Sequence, residues 1–358
     1  MEKTNGADQQ FARMKEIMMV AGPAPFSDRV ADACAPSRNC FHRSKFIIDR
    51  VGDCRDMIKS VLGLDEHWEV YLINGTGRNG IEATIKCLPD IFVLSNGVWG
   101  ELMSAYAGRH GEVRDPAKPF TRPSSHPFAV HVGVVAHDTE KATTNDIPAL
   151  CEWAQRNGHR LVIDAMSAVV VQDINWNHPA IDVICFSAAK ALRAPNGFAI
   201  VAARSNCYLK AQPRTSYLDL YLHRKSYEET GYAAGQLISL FVLGLHEALL
   251  ELLEEGVAVR RQNILRQLGL LRRALNSHGF ADEFDRRSNY VLPLRLPDGW
   301  TWEGFNAQLW KRGASTTIGH EGRKGRVMNV SPAGAITDEQ IWKFCEICAE
   351  VKQEESPC

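Results

Sequence analysis

From about residue 68 to residue 205, short β-rich runs alternate with segments of helical spacing, and no other feature constrains the fold as strongly. The runs are VYLIN, IFVLSNG, FAVHVGVVAH, LVIDA, IDVICFS and FAIVAA. Such a rhythm predicts an α/β fold whose mainly parallel sheet is covered by helices. Between two runs, IPALCEWAQRNGH sets Ile147, Leu150, Cys151 and Ala154 at helical spacing and stops at Asn157-Gly158, the signature of a crossover helix. After residue 230 the texture becomes a long helical tract of dense apolar spacing, broken at Gly256. It leads into YVLPLRLP, GRVMNVS and a last helix, QIWKFCEICAEVKQ, which together predict a smaller α+β domain. The expected division is a large domain over 18–245 and a small one over 246–358, with 1–17 joined to the latter.

At 358 residues the chain is long enough for one large α/β unit with a satellite. Its net charge of −1 gives no overall field for nucleic acid or an anionic membrane, so a small molecule is the expected partner. The first residues are polar and charged where a signal peptide needs an apolar core, and no apolar run reaches bilayer length. A cytoplasmic protein is expected. Ten cysteines are scattered rather than arranged as staples, and read as reduced thiols. Cys345 and Cys348 form a C-x-x-C without a second Cys/His pair nearby, so no metal site is expected and both are placed on the apolar face of the last helix.

CFSAAKALRAPNG ends a strand and sets Lys190 among small residues before a Pro-Asn-Gly turn. A desolvated lysine has a lowered pKa and attacks carbonyls, holding them as a Schiff base; a lysine snorkelling from a strand end is the plainer alternative. Asp164 closes the apolar run LVID. A carboxylate there needs a partner such as a protonated ring nitrogen, unless it only caps a helix. VYLINGTGRNGIEATIKCL reads as strand, glycine turn and helix, a place where helix amides and dipole hold phosphate, although any tight strand-to-helix turn uses glycine. Ligands of open parallel sheets sit at these carboxyl ends.

With these pieces in order, the chain resembles the class V aminotransferases, pyridoxal-phosphate enzymes of fold type I. It is most similar to their 2-aminoethylphosphonate:pyruvate and alanine:glyoxylate (serine:pyruvate) branches. The likeness spans about residues 18 to 350 and rests on MMVAGPAP, NGTGRNGIEA, SNGVWGELM, HDTEKATTNDI, DAMSA, FSAAKALRAPNGFAIVAAR and RTSYLDLY. It implies that Lys190 carries the cofactor and shuttles the substrate proton, and that Asp164 pairs with the pyridine nitrogen. It further implies that Trp99 stacks on the ring, that Thr139 lies near its phenolic oxygen, and that Thr76, Gly77, Arg78 and Ser187 surround the phosphate. Gly22, in the N-terminal motif, falls on the substrate side. SYEETG gives Tyr227 and Thr230 the Tyr-x-x-Thr spacing by which the alanine:glyoxylate branch reaches the neighbouring subunit's phosphate, which implies a homodimer with shared active sites.

Departures from the family's pattern bear on substrate. Asn329, in GRVMNVSPAG, stands where the family has the arginine that holds a substrate carboxylate, and asparagine offers no charged fork. Arg323 and Arg326 are the candidate replacements. EKA at 140–142, Ala189 beside the lysine and Arg78 at the phosphate turn are further changes. The expected activity is transfer of an amino group from a small amine or amino acid, such as an aminophosphonate, to a keto acid. A lyase on the same fold, performing β-elimination, desulfuration or C–C bond chemistry, is the alternative; a non-catalytic relative is disfavoured by the joint presence of Lys190, Asp164, Trp99 and Thr139.

Overall fold

Seven strands form the larger sheet of the computed structural model, in the spatial order Trp68–Asn74, Phe198–Arg204, Ile181–Ser187, Arg160–Asp164, His131–Val135, Ile91–Ser95 and Glu112–Val113. The structure describes residues 17–354 apart from 89, 109–110, 116–117, 208, 210–216, 284–287 and 320–324. Only Phe198–Arg204 runs against its neighbours, pairing antiparallel on both sides. All other pairings are parallel. The strands ending at Asn74, Ser95, Val135, Asp164 and Ser187 therefore deliver the residues that follow them to one edge of the sheet.

Local chemistry explains the helices between them. Asp146 caps Ile147–Asn157 by accepting a hydrogen bond from Ala149 N at 2.9 Å, Pro148 sits in the first turn, and Gly158 closes the helix at φ 72°. Its buried face is Ile147, Leu150, Cys151 and Ala154, the residues the spacing predicts. Ile181–Ser187 is buried along its whole length. Each fully buried Val or Ile on such a strand contributes about 1.5–3 kcal/mol. One strand is shorter than its sequence suggests: FAVHVGVVAH pairs only from His131, with Phe128 and Val130 left in solvent ahead of the sheet.

The long helical tract divides at Gly256, whose φ of 89° ends one helix and starts the next. Ser239–Glu255 packs on Lys45–Leu62 and Asp28–Cys34 beside the large sheet, whereas Val257–Ser277 packs on the last helix, Asp338–Gln353. The second sheet has five strands in the order Ile17–Met19, Ala314–Ile318, Val327–Val330, Leu292–Arg295 and Ala281–Asp282. Its core includes Leu271, Phe305, Phe344, Cys345 and Cys348, so both cysteines lie on the apolar face of the last helix. From Met19 the chain crosses to the large sheet as a strap, where Ala24 N donates to the Ala189 carbonyl at 2.8 Å. This strap is how the small sheet reaches the lysine.

Phe344 has no exposed surface while Trp342, two residues earlier, is half exposed. Phe344→Ala is expected to lose about 3–5 kcal/mol in denaturant unfolding, and Trp342→Ala to stay within about 0.5 kcal/mol of the parent.

Candidate active site

The residues that follow the parallel strands close around a cavity of about 330 Å³. Thr76, Gly77 and Arg78 come from the turn after Trp68–Asn74, Trp99 from the helix after Ile91–Ser95, and His137 and Thr139 from the segment after His131–Val135. Asp164 and Ser187 are themselves strand ends, Lys190 follows three residues later, and Gly22 of the strap forms the remaining wall. Nine of the residues the sequence singles out thus meet in one place: Gly22, Thr76, Gly77, Arg78, Trp99, Thr139, Asp164, Ser187 and Lys190.

Burial sets the electrostatics. Desolvation lowers Lys190 to about 8, against a smaller opposing pull from Asp164. Desolvation likewise raises Asp164 to about 6, although Met166 N donates to its Oδ1 at 3.0 Å and Lys190 lies nearby. Lys190 Nζ donates to the Ala21 carbonyl at 2.6 Å. The strap approaches so closely that a Cβ on Gly22 would lie 2.5 Å from Nζ, and the backbone there has φ 126°. Only glycine fits.

His137 is a further wall residue with the same sequence signal as Asp164, an ionisable side chain closing an apolar run. Burial and Lys190 push it down to about 3, so its ring is neutral. Ser167 Oγ donates to the His137 carbonyl at 3.0 Å and therefore accepts from Nδ1, also at 3.0 Å. The other ring nitrogen then takes the proton of Ser288 Oγ at 2.7 Å. With both nitrogens engaged, His137 is a fixed wall rather than a base.

On the opposite side, the Trp99 indole N–H donates to Thr139 Oγ1 at 3.3 Å and the Arg78 guanidinium lies 5.5 Å from the centre of the Trp99 ring. Thr139 is anchored from the small sheet, because Asn329 Nδ2 donates to its carbonyl at 3.0 Å. Asn329 is buried behind the wall and is not among the residues lining the cavity; its Oδ1 has no partner among the described residues. Arg326 is exposed at the approach to strand Val327–Val330, also away from the cavity walls. Arg323 lies outside the described residues. Tyr227 is buried in its own subunit, with the Arg55 guanidinium 4.0 Å from its ring centre, and the Thr230 hydroxyl donates to the Ser226 carbonyl one turn back. Neither joins the cavity.

Residues of metal-ligand type among those described gather at His131, Asp182 and Cys207, at the other end of the sheet. There Asp182 accepts from Arg160 Nε at 2.7 Å and lies 3.3 Å from His131 Nε2, so its charge is already compensated.

The cavity suits an aldehyde-bearing, phosphorylated pyridine. A desolvated amine, a desolvated carboxylate and the first turn of Gly77–Cys87 with Arg78 line one cavity. Gly77 keeps its wall open, since a Cβ there would collide with Met166 Sδ.

The family described as aminotransferase class-V matches residues 126–277. A 2-aminoethylphosphonate–pyruvate transaminase of Salmonella schwarzengrund is 27% identical over 285 residues, covering 74% of this chain and 77% of the relative. A pyridoxamine-pyruvate aminotransferase from Mesorhizobium loti has the same fold, with a TM-score of 0.82 at 19% identity over 95% of this chain and 93% of that one. A PLP-bound phosphoserine aminotransferase from Trichomonas vaginalis gives a TM-score of 0.73 at 15% identity, over 95% and 100%.

Because the folded-state pKa of Asp164 is raised from 3.8 to about 6, the folded state binds the extra proton between those values. Its stability therefore falls as pH rises through that window. Asp164→Asn is expected to stabilise the cofactor-free protein at pH 7.5 by on the order of 2 kcal/mol, with the gain vanishing below about pH 4. Thermal melts of both proteins across pH measure this.

Proposed function

Starting from the chain's place among the class V aminotransferases, whose family match includes both Asp164 and Lys190, we propose that it transfers the amino group of a small, anion-bearing amine to a keto acid. The amine is of the aminophosphonate class, 2-aminoethylphosphonate being the first candidate and pyruvate the matching acceptor. The observation that carries the reading is the lowered amine of Lys190 and the raised carboxylate of Asp164 facing one cavity. The Salmonella relative supports the substrate class. Nothing in these relatives favours the lyase alternative.

The cofactor is pyridoxal 5'-phosphate, which supplies an aldehyde to join the amine and a ring that accepts electron density from the substrate carbon. Thr76, Gly77 and Arg78 would hold its phosphate, Trp99 with Thr139 and the Ser187 hydroxyl would meet its ring, and Asp164 would keep the ring nitrogen protonated. Lys190 at about 8 is neutral in part at physiological pH, so Nζ can take a proton from the substrate carbon and return it elsewhere. Asn329 steadies Thr139 through its carbonyl instead of meeting a substrate carboxylate.

A homodimer belongs to the same reading. Phe41, Ile238 and Leu240 are exposed large apolar residues lining one groove with His42 and Gln236, a surface suited to a second copy of the chain. Thr230, at the end of its helix near this region in sequence, remains the candidate for completing the neighbouring site. A cytoplasmic setting is part of the proposal. It is supported by nine free thiols among the described cysteines; no helix of the described residues is long and apolar enough to cross a membrane.

With 2-aminoethylphosphonate and pyruvate, equal amounts of aldehyde product and alanine are expected, and Lys190→Ala is expected to lose at least about 10³-fold in rate. Release of ammonia or another leaving group without a keto acid acceptor would overturn the reading. Phe41→Glu is expected to shift the sedimentation coefficient from dimer toward monomer.

A further inference from the structure

Among the described residues, the hydrogen bond of Lys190 Nζ goes to a carbonyl of the strap, Ala21. That carbonyl has a second donor. The Tyr290 phenol reaches it at 3.0 Å, and the Tyr290 ring centre lies 5.9 Å from Nζ. Burial pushes the phenol's pKa well above its usual value, so the group stays protonated and acts as a donor.

Tyr290 is itself held tightly. It has no exposed surface, its N–H donates to Ser288 Oγ at 3.0 Å, and its carbonyl accepts from Ser331 Oγ at 2.6 Å. Ser288 Oγ is the partner of the His137 ring, which meets the Tyr290 ring edge-on at 6.1 Å. The strap is pinned from the same side: Ala21 N donates to Thr317 Oγ1 at 2.8 Å, and Ser331 N donates to the Met19 carbonyl at 3.2 Å. The lysine's resting acceptor is therefore carried by the small-sheet side of the molecule, with the phenol as its clamp.

We infer that Tyr290 is a positioning residue for Lys190: its phenol fixes the Ala21 carbonyl so that the amine, when not joined to the cofactor, rests at one place over the cavity. This builds on the aminotransferase reading, in which the freed amine must return to the same proton in every turnover. A carbonyl held in place favours the ammonium form through a preorganised charge-assisted hydrogen bond. A mobile one does so less. The other charged or titratable groups facing the amine are Asp164 from the large sheet, with Asp138 acting on Asp164, neutral His137 at the same edge, and Arg78 in the cavity wall.

The test uses cofactor-free protein. Pulse labelling with acetic anhydride across pH, read by peptide mass at Lys190, gives the titration of that amine alone. The parent is expected to titrate near 8, and Tyr290→Phe about half a unit to one unit lower, because the ammonium loses its fixed acceptor while the ring remains. In the loaded enzyme the same variant is expected to lower kcat about tenfold with KM within about twofold. Tyr71→Phe serves as the control: Tyr71 is also a fully buried tyrosine, but its hydroxyl accepts from Arg224, and its loss is expected to leave the Lys190 titration unmoved. An unchanged or raised midpoint in Tyr290→Phe would overturn the inference. Failure of the aminotransferase reading would show instead as absent amino transfer in the parent, which the labelling experiment does not depend on.

Discussion

Lys190 and Asp164 feel each other's charge across the cavity, yet no salt bridge joins them among the described residues. Had they paired closely, the carboxylate would sit below its ordinary range and the lysine above it. Instead burial dominates both: the amine falls to about 8 and the carboxylate rises to about 6. Each group is held short of full compensation, which is costly for a folded protein without a ligand between them. A ligand offering an aldehyde at one end of its ring and a basic nitrogen in the ring relieves both costs. The remaining architecture can be understood as the means of holding these two groups apart in one cavity.

Parallel pairing does most of that holding. Strands running the same way present their C-terminal ends together, so groups distant in sequence, from Thr76 to Lys190, arrive on one edge without any loop having to travel far. The small sheet contributes from above. Its first strand continues as the strap over Lys190, Asn329 reaches the Thr139 carbonyl, and Tyr290 meets the Ala21 carbonyl. The second sheet is thus part of the active site's geometry even though few of its residues line the cavity.

The alternation of strands and helices, the break at Gly256 and the buried face of the last helix were legible because periodicity and glycine punctuation are local properties. Lys190, Asp164 and Trp99 were legible because each follows an apolar run at a sheet edge, where charge or a large ring needs a reason. His137 carries the same signal. Tyr290 carried none: its importance comes from a contact with Ala21, 269 residues away in sequence. Tyr227 is a different case: its motif spacing points toward a neighbouring copy, and within one chain its ring packs against Arg55. Asn329 lay between these cases, because its unusual identity was visible but its commitment to Thr139 depended on how the two sheets meet.

Reductive trapping tests the central claim most directly. Protein incubated with pyridoxal 5'-phosphate is treated with borohydride, digested, and mapped by mass for the modified residue, with Asp164→Asn as a comparison. The account predicts a single modified peptide containing Lys190, formed in one-to-one stoichiometry, with weaker retention of the cofactor in the variant. Modification spread over surface lysines, with Lys190 unlabelled, would contradict it.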